Sequence, residues 1–144
     1  YGGGSAATWD RLDLEERVAR VIDWRRQRDV LEALRRGDEA EWFPFDWLAD
    51  DWDGEVAPRS ATASRCRPTE VVVLEGAYSA RPELADLVDL RVLLDPPVEL
   101  RRARLLAREG EGYRTDWEER WSAAEDHYFG TVVLAEGFDL VLGR

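Results

Sequence analysis

EVVVLEGAY, residues 70–78, decides how the rest of the chain is read. Val71, Val72, Val73 and Leu74 make a short unbroken apolar run. Such a run predicts a strand buried on both faces, as at the centre of a parallel sheet. It ends in Glu75-Gly76. A carboxylate at the carboxyl end of a buried parallel strand faces the crevice where α/β proteins bind ligands. A buried carboxylate needs a partner there. A magnesium ion with its waters is one answer, and an ion pair with one of the many arginines is the other.

Downstream, residues 89–95 (DLRVLLD) repeat the plan: an apolar core with a carboxylate, Asp95, at the exit. Between the two runs, Pro82-Glu83 suits the first turn of a short helix ending near Leu87. Pro96-Pro97 ends the second strand and starts a helix. On that helix Leu100, Ala103 and Ala107 are expected to make the buried side. Arg101, Arg104 and Arg108 stand at i, i+3 and i+7 and share another face. They could clamp a polyphosphate through bidentate hydrogen bonds. They could equally be a solvated stripe balanced by Glu99 and Glu109.

Residues 110–114 read as a turn, and Thr115 with Glu118 forms a capping box. The helix it opens carries Trp117, Trp121, Ala124, Tyr128 and Val132 along one face, a core stripe rather than a cofactor box. His127 is the only histidine and reads as a surface residue. Residues 138–142 (FDLVL) close the chain as a third buried strand.

Upstream, residues 1–7 (YGGGSAA) are small and read as a flexible start. A phosphate loop is excluded, because GxxxxGK[ST] needs a lysine and the chain has none. Residues 13–36 are helical in pattern. Asp13 with Glu16 resembles a capping box. Leu14, Val18, Val21 and Ile22 recur at helical spacing, and Trp24, Leu31 and Leu34 continue the stripe after a bend. Gly37 is a natural stop. Residues 41–52 (EWFPFDWLADDW) are dense in aromatics and carboxylates, and Pro44 argues against a regular helix. They form either a pocket for a base or sugar or a set of core aromatics with acidic neighbours. Residues 53–69 show no periodicity and read as a loop.

The bulk numbers fit one domain of 144 residues with 44% apolar content. The net charge of −11 argues against nucleic acid as a partner, since phosphate backbones need a basic stripe. No apolar run is long enough to span a bilayer. Cys66 is the only cysteine, which fits a reducing cytosol, so a cytoplasmic location is expected. A chain opening on Tyr1 rather than Met reads as a fragment or a processed chain. The order of strands and helices after a helical first third predicts an α/β fold with a parallel sheet.

The run 71–97, then ELRRARLLARE, then WEERWSAAEDHYF, resembles the uridine kinase and phosphoribulokinase family of P-loop kinases, in its uridine-kinase-like branch of high-GC bacteria. The resemblance runs from about Asp23-Trp24 to the end. It implies a three-layer parallel sheet whose first strand and phosphate loop are missing here. It implies a partial kinase domain over 1–144, with a flexible start (1–12), a helical and aromatic substrate-side region (13–52), a loop (53–69) and an α/β core with an arginine lid (70–144). By the resemblance Glu75 serves magnesium. Asp95, Arg101, Arg104 and Arg108 match a lid that holds the ATP phosphates, with Arg104 and Arg108 also stabilising transferring charge. Phe45, Asp46 and Trp47 match a tyrosine–aspartate–tryptophan stretch near a nucleoside, with Phe in place of Tyr. Tyr1 matches the tail of an upstream substrate-binding motif. The activity implied is transfer of a phosphoryl group from ATP to a hydroxyl of a uridine- or cytidine-like small molecule, with ATP and magnesium as cofactors and a homo-oligomer left open. Lacking the Walker loop, the chain alone is expected to be inactive. A degenerate, non-catalytic binding or regulatory module is the other reading.

Overall fold

The capping-box reading at Asp13 fixes the start of the second helix. In a computed structural model that describes residues 6–46, 49, 58–110 and 121–143, Asp13 Oδ1 accepts from the Glu16 amide at 2.8 Å, and Glu16 Oε2 accepts from the Asp13 amide at 3.0 Å. After α1 (Ala6–Trp9), this opens α2 (Leu14–Arg20). A break at 21–23 gives the bend, and Asp23 caps α3 (Trp24–Arg36). Gly37 stops α3 in the left-handed region, φ 88°, a conformation glycine adopts without steric cost. Pro44 lies outside any helix, as expected. β1 (Ala40–Trp42) pairs antiparallel with β2 (Ser64–Cys66), and the pairing extends to Phe45 and Arg59. Thus part of the stretch read as a loop is a strand.

A 3-10 helix over Pro82–Leu87 follows, with proline in its first turn. β3 (Val92–Leu94) pairs in parallel with β4 (Leu140–Leu142). Between them lie α4 (Val98–Glu109), α5 (Ser122–His127) and a π-helical turn over Tyr128–Val132. Among the described residues the strands form two sheets of two strands each.

The core lies where α1, α2 and α5 meet. Trp9, Val18, Val21, Tyr78, Ala124, Tyr128 and Val133 are buried together. The Trp9 and Trp121 rings pack 4.2 Å apart, and Tyr78 and Tyr128 meet edge-on at 4.8 Å. The expected stripe on α5 is therefore core, with one shift. The Val133 amide donates to the Tyr128 carbonyl at 2.9 Å, five residues back. This wider turn advances the register, so Val133 is buried while Val132 is exposed.

Three expectations fail on burial. Residues 71–74 form no strand, and Val71 and Val73 are 75% and 80% exposed. A strand exists only through a neighbour that takes its backbone hydrogen bonds, and among the described residues none lies beside this run. β4 is likewise not buried: Leu140 and Leu142 are exposed, as are Val92 and Leu94 opposite them. On α4 the expected inner side is outside. Leu100, Ala103 and Ala107 are exposed, whereas Arg101, Leu105 and Leu106 are half-buried. Tyr1, Trp47, Trp117 and the capping box of Thr115 and Glu118 lie outside the described residues. No helix among the described residues is long and apolar enough to cross a membrane.

Candidate functional site

β3 is followed by Asp95, whose amide donates to the Leu142 carbonyl at 2.7 Å. The neighbouring β4 is followed by Gly143, φ 101°. A Cβ there would meet the Asp95 carbonyl and the Pro96 nitrogen at 3.3 Å, so the close approach of the two strand ends favours glycine. The chain then turns through Pro96-Pro97 into α4, which carries the arginines. Arg104 and Arg108 are exposed. Arg101 is turned inward, and its Nη1 donates to Glu125 Oε1 at 3.2 Å. Burial raises the Glu125 carboxyl above its ordinary range, against the pull of Arg101. Glu75 is exposed at the end of the unpaired run and makes no ion pair with these arginines. The arginines of α4 thus share one helix with Asp95 at its head, but no bond joins them to Glu75.

Phe45 and Asp46 are half-buried on the β1 side. The Asp46 amide donates to the Pro58 carbonyl at 3.0 Å, which fixes the backbone there. Beside them a groove of about 330 Å³ runs between α3 and β1, with Arg26 and Asp29 on one wall and Glu41, Trp42 and Phe43 on the other. It lies at the lower end of ligand-sized clefts.

A third cluster was not anticipated. Arg81 is 2% exposed, yet charged. Its Nε and Nη2 donate to both oxygens of Glu83 at 3.1 and 2.9 Å. Its guanidinium also lies 5.6 Å from the centre of the Trp24 ring. The Arg81 hydrogen bonds hold the Glu83 carboxyl below its ordinary range. Nearby, burial pushes the Tyr78 and Tyr128 phenols well up, and the buried Tyr128 hydroxyl has no hydrogen-bond partner. A further arginine, Arg28, grips both oxygens of Asp86 at 2.7 Å and the Glu83 carbonyl at 2.8 Å, tying α3 to the 3-10 helix. That contact holds the Asp86 carboxyl at about 2. The signal in the sequence was the arginine immediately before Pro82-Glu83, a charge placed between apolar neighbours.

Family models, curated proteins and solved structures offer no match to the chain. Among the described residues no cluster of three or more His, Cys, Asp or Glu could hold a metal ion. Magnesium fits these residues only as an ion held mainly by ligand phosphates and water with a single carboxylate, for which Glu75 is open. The arginines of α4 fit anions, since a guanidinium matches phosphate geometry.

Proposed function

We propose that the chain is the carboxyl-terminal part of an ATP-dependent kinase that phosphorylates a hydroxyl of a nucleoside of the uridine or cytidine kind. The observation that carries this reading is the parallel β3–β4 pair, with Asp95 at the strand exit and Arg104 and Arg108 exposed on the helix that follows. In this reading Arg104 and Arg108 hold the donor's phosphates and offset charge as it moves. Arg101 joins them on leaving Glu125. Asp46 and Phe45 orient the substrate. Magnesium, held through Glu75 and water, would supply charge neutralisation at the phosphates. The sheet is proposed to be completed by a strand and a phosphate loop lying outside these 144 residues. The exposed Val71–Val73 run supports this, since its sequence suits a central strand and it pairs with no strand among the described residues.

The test joins the chain to the segment encoded immediately upstream and follows phosphoryl transfer from MgATP to uridine and cytidine. Transfer is expected with the longer protein, while calorimetry of the 144-residue chain should detect no micromolar MgATP binding. In the longer protein Arg104→Ala should lower kcat by about a hundredfold or more, as loss of a charge-stabilising donor does. Micromolar MgATP affinity of the short chain, or kcat within a few-fold of the parent in the variant, would overturn the reading.

A further inference from the structure

Two arginines one turn apart on α4 stand in different states. Arg104 is exposed and makes no ion pair or hydrogen bond among the described residues. Arg101 has a partner on another element: its Nη1 donates to Glu125 Oε1 of α5 at 3.2 Å. Its other N–H groups make no hydrogen bond among the described residues. That grip is looser than those of two other arginines. Arg28 holds both oxygens of Asp86 at 2.7 Å, and Arg81 holds both oxygens of Glu83 at 3.1 and 2.9 Å. A guanidinium that meets a carboxylate or a phosphate squarely makes two parallel bonds of that kind. Arg101 gives Glu125 a single one.

The two partners are also unequal in freedom. Glu125 follows the fully buried Ala124, which packs in the core with Val18 of α2, and its own side chain is 12% exposed. The carboxylate is therefore fixed by the core. The Arg101 side chain is 40% exposed, on a long stem whose charged end can swing toward water while both helices stay in place. Burial and the like charge of Asp126 both disfavour the Glu125 carboxylate, and Arg101 is the cation that offsets them. Carboxylate and phosphate are alternative acceptors for one guanidinium. On an α-helix, residues three apart have their Cβ atoms about 5–6 Å from each other, so an anion of several phosphates reaches both Arg101 and Arg104.

We propose that Glu125 is an internal competitor for the anion site of α4: it occupies Arg101 in place of a ligand phosphate, and a polyphosphate binds by drawing Arg101 away from it to join Arg104. The proposal rests on the reading of α4 as a phosphate-binding helix and adds a restraint to it. At Arg104 the ligand meets an arginine with no bond to break. At Arg101 it has to replace one, so its affinity is lowered by the fraction of molecules in which Arg101 is held. Glu125 thus acts through Arg101, as a positioning residue that keeps the site incomplete until a polyphosphate arrives.

The test uses the 144-residue chain at low, fixed ionic strength, with inorganic triphosphate as the probe. Calorimetry gives the affinities, and amide shifts of isotope-labelled protein locate the site. Triphosphate should bind the parent chain weakly and shift α4. Glu125→Gln should tighten binding by roughly threefold or more, as release of a partly solvated ion pair gives. Glu125→Leu, which accepts no hydrogen bond, should tighten it at least as much. Asp126→Asn removes a charge from the next residue without touching the pair. Its effect should stay below about twofold, because an exposed charge is screened. In an Arg101→Ala background, Glu125→Gln should bring no gain. Equal gains from Asp126→Asn and Glu125→Gln would reduce the effect to overall charge and overturn the proposal. So would a gain that survives Arg101→Ala, or no gain from either Glu125 variant. If in those cases triphosphate still shifts α4 and Arg104→Ala weakens it, the phosphate-binding reading of α4 stands without the competitor. If triphosphate leaves α4 unshifted in parent and variants alike, that reading of the arginines fails and the competitor falls with it.

Discussion

Two regions of this chain are equally apolar in sequence and opposite in burial. Around α1, α2 and α5 the side chains close on one another: Trp9 is 1% exposed, and Ala124 and Tyr128 are fully covered. Around residues 71–73, β3 and β4, side chains at least as apolar stand in the open, with Val73 80% exposed and Leu94 71%. Composition does not separate them. What does is the presence of a neighbour. α2 and α5 supply surfaces to each other, whereas residues 71–73 have no strand beside them among the described residues, and β3 and β4 satisfy each other's backbone without a layer over their exposed side chains. Exposed apolar residues so close together mark a surface that is covered in the working protein or is prone to association.

The largest effects should come from the covered region. Trp9→Ala should cost about 3–5 kcal/mol and Leu84→Ala about 2–5 kcal/mol, read from urea midpoints, since each opens a cavity in a packed interior. Both residues are at most 1% exposed. A domain has only about 5–15 kcal/mol in all, so Trp9→Ala should leave the chain largely unfolded at modest urea. A cost under 1 kcal/mol for Trp9→Ala would show that the core of α1, α2 and α5 is not the stable part of the molecule.

Next comes the Arg81–Glu83 pair at the border of that core, where the two partners are unequal. Glu83→Gln leaves a guanidinium that is 2% exposed without its counter-charge. It should cost about 2–3 kcal/mol, below the ~3–5 of a fully buried pair because Glu83 itself is partly solvated. Arg81→Met keeps the packing against Trp24 and frees Glu83 toward water, so it should cost less. The pH dependence has a definite sign. The folded carboxyl of Glu83 lies below its unfolded value of about 4.3. Its contribution is therefore present above that value and is lost as pH falls through the lower folded one. Glu83→Gln should remove this part of the acid loss. Glu125 runs the other way. Its folded carboxyl is raised, so stability falls as pH rises from the unfolded value through the folded one. Glu125→Gln should flatten that fall and leave the chain no less stable at neutral pH. Urea titrations from pH 3 to 8 check both; parallel profiles for the two variants would contradict the assignment.

Legibility followed the range of the interaction. The Asp13 capping box, the Gly37 stop and the Pro82 helix start were readable because each is decided within about four residues. The segments of β3, β4 and α4 were readable too, from apolar runs and from Pro96-Pro97. Which side of each would be covered was not, because that is decided by residues far along the chain. The inner face of α4 was assigned by its small residues, yet Arg101 turns inward because Glu125 waits on α5. Val133 replaced Val132 because a π-helical turn, invisible in the pattern, advanced the register. β2 lay in a stretch without periodicity, since its pairing is set by β1 and not by its own sequence. Of the candidate site, the arginine helix headed by Asp95 was legible. The groove beside α3 was not, for it exists only once distant segments meet, and of Arg81 the sequence showed a charge between apolar neighbours but not its burial against Trp24.

The smallest effect sharpens the comparison most. Val73→Ala removes two methyl groups from a side chain that is 80% exposed. The loss of buried surface is slight, and alanine is no worse placed than valine in an unpaired extended run. The change in stability should lie within about 0.5 kcal/mol, the range of ordinary surface substitutions. Its effect should appear elsewhere. Val71–Leu74 is an exposed apolar segment that pairs with no strand among the described residues, the pattern that templates pairing between chains, and Val73→Lys should slow concentration-dependent light scattering at unchanged urea midpoint. If instead Val73→Ala costs 1 kcal/mol or more in the 144-residue chain, the segment is covered in solution, whether by a second copy or by a rearranged sheet. Sedimentation velocity then separates the two: loss of a dimer points to the copy, and a monomer throughout points to a strand 71–74 that finds its partner within the chain.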